Sequence, residues 1–176
     1  MVSVTLLPAA TRFLVRGDSA AAATIGQAFG VPLPRQACRS TEGGRRAALW
    51  LGPDEWLLLA AEGEDALMGD IEGALDGVPA SLVDISERQV AIDVDGPEAA
   101  EAINAFNALD LEVDAFPVGM CTRTLFGKAE IVLWRTAPDR FRIEVWRSFA
   151  PYVLGCLAEA TREYRVSSPI GDLCIT

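Results

Sequence analysis

Residues 49–60, LWLGPDEWLLLA, hold two apolar runs around the turn Gly52-Pro53-Asp54-Glu55. Gly and Pro between apolar runs mark a tight reversal, so the stretch reads as a β-hairpin. Successive strand side chains point to opposite faces, and here nearly every side chain on either face is apolar. Such a hairpin needs a cover on both sides. Helices of its own half of the chain fit one face. The other, carrying either Trp50 and Trp56 or the leucines, calls for the second half of the chain or a partner subunit, because large uncovered apolar patches are rare in soluble monomers.

Outward from the hairpin, one order of elements occurs twice. In the first half, RFLVRG is a strand ending at Gly17, and DSAAAATIGQAFG is a helix that Asp18 or Ser19 can cap. A loop, a polar turn at STEGGRR, the hairpin and a helix over GEDALMGDIEGAL follow. In the second half, QVAIDVDG is a strand ending at Gly96, and PEAAEAINAFNAL a helix with Pro97 at its first position. Three strands over residues 121–146 and a helix over SFAPYVLGCLAEATREY complete it. Gly17 matches Gly96, and Pro53-Asp54 matches Pro138-Asp139. SLVDISER, residues 81–88, bridges the halves. The expected fold is α+β: one domain over 1–176, built of two strand-helix-hairpin-helix halves (about 1–80 and 81–176), with antiparallel or mixed sheets covered by helices.

Composition narrows the chemistry. The chain has 176 residues, 51% of them hydrophobic, enough for a sizeable core. Its 15 Lys+Arg against 25 Asp+Glu give a formal net charge of −10, which repels nucleic acid. No apolar run is long enough to span a bilayer, and MVSVTLLPAATRFLV lacks the basic start and long apolar core of a signal peptide, so the expected location is cytoplasmic and off the membrane. Histidine is absent, which removes the usual general base and the commonest transition-metal ligand. Lys128 lies in a Gly-Lys turn between apolar runs and reads as a hairpin residue rather than a functional amine. No glycine-rich phosphate motif occurs. Cys38, Cys121, Cys156 and Cys174 are scattered, with no Cys-x-x-Cys pair, and read as reduced core thiols. No catalytic, cofactor-binding or metal-ligating set emerges.

The run LVDISERQVAIDVDGPEAAEAIN, followed by residues 116–160, resembles the gamma subunit of heterotetrameric sarcosine oxidase. The likeness extends from about Leu49 onward, with GPDEWLLL, VDIS, VGMCTRTLFGKAEIVLWR and EVWRSFAPYV as its specific parts. More distantly, VDISERQVAIDVDGPEA resembles the folate-binding domain of aminomethyltransferases. The first resemblance implies a non-catalytic gamma subunit, with alpha, beta and delta subunits as partners. That complex demethylates sarcosine oxidatively to glycine, producing hydrogen peroxide and passing the one-carbon unit to tetrahydrofolate. It also implies that FAD, FMN, NAD and tetrahydrofolate sit on the other subunits. In aminomethyltransferases a carboxylate follows the strand matching FRIEVW and contacts the folate amine, but no Asp or Glu occurs here from Trp146 to Leu157. A free-standing folate-dependent one-carbon enzyme and a folate-binding module without catalysis stand as the alternatives.

Strand alternation in DRFRIEVWR puts Phe141, Ile143 and Val145 on one face, and Arg140, Arg142, Glu144 and Trp146 on the other. The first is a core face. The second, with Trp134 and Arg135 on the facing strand, is rich in the residue types that anchor protein interfaces. Arg140, Arg142, Trp146, Trp134 and Arg135 are therefore the expected subunit-contact residues. An ordinary solvated sheet face is the competing reading.

Overall fold

A computed structural model describes residues 1–64 and 66–162. Cys174 and the end of the last expected helix lie outside these residues. In chain order the elements are β1 (Ser3–Leu6), β2 (Ala10–Gly17), α1 (Ser19–Phe29), β3 (Ser40–Gly43), β4 (Arg46–Gly52), β5 (Glu55–Ala61), α2 (Ala66–Ala74), β6 (Ala80–Asp84) and β7 (Gln89–Asp95). Then come α3 (Ala99–Asn104), β8 (Cys121–Phe126), β9 (Ala129–Ala137), β10 (Arg140–Trp146), a 3-10 turn over Arg147–Phe149, and α4 (Ala150–Ala160).

The strands form two five-stranded sheets, ordered β3-β4-β5-β2-β6 and β8-β9-β10-β7-β1, antiparallel throughout. Each strand of one sheet has its counterpart at the same place in the other. The repeat extends to single hydrogen bonds: the Gly17 N–H donates to the Asp54 carbonyl (3.0 Å), and the Gly96 N–H to the Asp139 carbonyl (2.9 Å). The sheets nevertheless do not follow a division at residue 80. β6 pairs with β2 in the first sheet, whereas β1 pairs with β7 in the second.

Local chemistry sets the element ends. Asp18 caps α1, its Oδ1 accepting from the Ala20 and Ala21 N–H groups (2.9 Å each), and Gly30 closes it in the left-handed conformation. α3 is shorter than the expected helix over 97–109, and Pro97 lies ahead of its start. Asn104 donates to the Asn107 and Leu109 carbonyls while the Asn107 side chain accepts from the Leu109 N–H, side-chain bonds that compete with further helix. STEGGRR is not only a turn, since its first residues form β3. β1 falls where no strand is expected, in the first residues, and β6 forms at the start of SLVDISER, which the repeat alone reads as a bridge between the halves.

The molecule has four layers. α1 and α2 cover the outer face of the first sheet through Phe13, Val15, Ile25, Phe29, Leu58 and Ile71. α3 and α4 cover the second through Ile92, Ile103, Leu133, Phe141, Ile143 and Val153. The inner faces pack on each other through Ala47, Leu49, Leu57 and Leu59 of the first sheet against Cys121, Val132 and Trp134 of the second. This placement covers both sides of the opening hairpin. Trp56 and Leu58 turn toward the helices, and Leu49, Leu57 and Leu59 toward the other sheet.

Candidate subunit interface and the seam behind it

The expected alternation along β10 holds: Phe141, Ile143 and Val145 are fully buried on the helix side. The opposite face does not look outward as a whole, because the first sheet lies against it. Glu144 is 1% exposed, and its Oε2 accepts from Arg12 Nε of β2 at 2.7 Å, Arg12 being equally buried. Glu144 Oε1 accepts from Arg142 Nε at 2.8 Å, which holds Arg142 along the seam. Arg12 Nη1 donates to the Ala10 carbonyl (3.0 Å). One carboxylate thus serves guanidinium groups from both sheets. Isolated buried charge is very costly, and pairing is what makes it tolerable.

Of the five expected contact residues, two lie inside the chain. Trp134 is 5% exposed, in the apolar cluster between the sheets. Arg135, also 5% exposed, donates through Nη1 to the Leu111 and Phe116 carbonyls (2.9 and 2.8 Å) and stacks 4.8 Å from the Phe141 ring centroid. It ties the loop before β8 to the sheet and is unavailable to a partner. Arg140 is at the surface, its Nε donating to both Asp93 oxygens (2.8 and 3.1 Å), and this pairing raises its pKa. Trp146 is 42% exposed, with the Arg88 guanidinium 5.0 Å from its ring centroid. Arg140 and Trp146 therefore remain accessible at the two ends of β10, while Arg142 is partly covered.

Beside Trp146, Phe149 and Tyr152 are also exposed, so three large rings or ring-bearing side chains stand in the open along the 3-10 turn and the start of α4. Sequence reasoning did not single out Phe149 or Tyr152, although both lie in the family-specific segment EVWRSFAPYV. Nor did it find Arg12, whose signal is an arginine on the face of β2 opposite Phe13 and Val15. A cleft of about 1180 Å³ opens nearby, between Leu6, Arg12, Val83, Gln89, Arg147 and Leu154. Charges of both signs edge it, and no carboxylate stands on the 3-10 turn or the first turns of α4. Among the described residues no group of three or more Cys, Asp or Glu is placed to hold a metal ion. No helix among them is long and apolar enough to cross a membrane.

The architecture defines the class: an α+β protein that shares its fold with part of aminomethyltransferase T, whose Bartonella henselae structure aligns over 92% of this chain and 46% of its own (TM-score 0.71, 15% identity). At that identity the likeness is one of fold. Residues 15–163 match the sarcosine oxidase gamma subunit family, and the chain belongs to that family. It is 32% identical over 151 residues to the sarcosine oxidase subunit gamma of Corynebacterium sp. strain P-1, covering 84% of this chain and 72% of that one. The corresponding subunit of Corynebacterium sp. strain U-96 is 35% identical over 118 residues, covering 67% of this chain and 57% of the relative. A chain of the heterotetrameric sarcosine oxidase from Corynebacterium sp. U-96, solved with pyrrole 2-carboxylate, aligns over 96% of this chain and 88% of its own, with TM-score 0.88 and 29% identity.

Proposed function

We propose that the chain works as the gamma subunit of a heterotetrameric sarcosine oxidase and contributes to assembly rather than to the chemistry. The single observation that carries this reading is the near full-length match to a chain of such an enzyme. The partners are the alpha, beta and delta subunits, and the FAD, FMN, NAD and tetrahydrofolate sites belong to them. The contact surface centres on Trp146, with the Arg88 guanidinium over its ring and Phe149 nearby, an exposed Trp, Arg and second ring that have the composition of an interface anchor. It includes Arg140 at the other end of β10. Arg142 lies behind them and holds the seam.

The test is co-expression with the other three subunits. The intact chain co-purifies with them, and the complex oxidises sarcosine. The chain purified alone shows neither the visible absorbance of a flavin nor oxidase activity. Failure to co-purify, or flavin bound to the isolated chain, overturns the proposal.

A further inference from the structure

Cys38 and Cys121 come from different halves of the chain, yet the fold sets them against each other. The segment entering β3 meets the start of β8 in an antiparallel bridge between Arg39 and Met120. Around it the Ser40 N–H donates to the Gly119 carbonyl (2.8 Å) and the Cys121 N–H to the Cys38 carbonyl (3.1 Å). One position along the ladder from that bridge, Cys38 stands opposite Cys121. The backbone bond from Cys121 to Cys38 holds the two residues side by side, and cross-strand neighbours have Cα atoms roughly 4.5–5.5 Å apart, within the roughly 4.4–6.8 Å that disulfides span. Both thiols are free.

The two environments differ in a useful way. Cys38 is half-buried at the surface and holds left-handed backbone (φ 57°), as no other non-glycine residue does among those described. Cys121 lies fully buried beneath the ladder, its Sγ 3.6 Å from the Trp50 carbonyl. Burial pushes the Cys121 thiol up to about 12, with the charge of the neighbouring Cys38 adding to the effect. An incoming oxidant therefore meets the Cys38 sulfur first.

We propose that Cys38 and Cys121 are a redox pair that a peroxide converts to a disulfide linking the two sheets. The Cys38 thiolate attacks one peroxide oxygen; an S–O bond forms, the O–O bond breaks, and water leaves once protonated. The Cys121 sulfur then attacks the Cys38 sulfur, the S–S bond forms, the S–O bond breaks, and a second water carries off the Cys121 proton. Two thiols give up two electrons to one peroxide.

The experiment treats the reduced full-length chain with hydrogen peroxide, alkylates the remaining thiols, and maps non-reduced peptides. The expected product is an intramolecular Cys38–Cys121 disulfide with the loss of two hydrogens in the intact mass, reversed by dithiothreitol. The oxidised chain melts roughly 5–10 °C higher, as closure of a long loop predicts. Cys38→Ser, at a half-exposed site, shows neither the link nor the rise in Tm. A map in which Cys38 is over-oxidised beside a free Cys121, or is joined to Cys156 or to a second chain, overturns the proposal.

Discussion

Glu144 stands mid-strand with apolar neighbours on both sides, and its worth depends on what it leaves behind when removed. Glu144→Leu strands Arg12 in the seam without a counter-charge, and the expected loss is roughly 3–5 kcal/mol, the usual cost of breaking a buried pair. Arg12→Met with Glu144→Leu removes both charges, so the double variant is expected to recover most of that loss. Urea unfolding of the single and double variants checks this; equal losses in both would show that packing rather than charge dominates. Cys121 supplies a second prediction. Its folded pKa is raised from 9.0 to about 12, so the folded state keeps a proton that the unfolded chain releases. The contribution is full below pH 9 and is lost as pH rises toward 12. Stability should fall over that window, and the fall should be shallower in Cys121→Ala measured under identical conditions.

Along β10, neighbouring positions separate surface from core. Ile143→Ala removes fully buried volume and should cost roughly 2–5 kcal/mol in the free subunit. Trp146→Ala should leave unfolding of the free subunit nearly unchanged while weakening assembly by about 2 kcal/mol, read by co-purification and by titration with the partner subunits. At β1, Gly96 controls docking: its φ of +134° disfavours any side chain, and a Cβ would stand 2.2 Å from the Met1 carbonyl oxygen. Gly96→Ala should displace β1 from β7 and cost roughly 1–3 kcal/mol, with amide exchange accelerating first in β1. These elements also show what was legible in the sequence. Both hairpins around Pro53 and Pro138 stood out because long apolar arms flank strong turn residues. β1, β3 and β6 did not, being short edge strands whose polar or weakly alternating residues follow no clear period. Alternation told which side chains share a face of β10 but not which layer covers that face. Alternation alone therefore puts Trp134 and Arg135 at a partner contact, whereas both lie buried inside the chain.

For the molecule as a whole, the apolar surface between the sheets makes each half depend on the other. Thermal unfolding should be one transition, with tryptophan fluorescence and far-ultraviolet circular dichroism coinciding; separate midpoints would mean that the halves melt independently. The tryptophans report on both sheets, since Trp50 and Trp56 lie in β4 and β5 while Trp134 and Trp146 lie in β9 and β10. The repeat was readable in outline from the paired glycines and proline turns, but the crossing of β1 into the second sheet carries no local signature and depends on long-range pairing. That crossing has a mechanical consequence. If the chain is nicked between Glu87 and Arg88, both exposed in the link from β6 to β7, the first fragment still holds β1 against β7 in the second sheet. The two fragments are clasped rather than merely apposed. They should travel together through a native gel-filtration column and come apart only in denaturant.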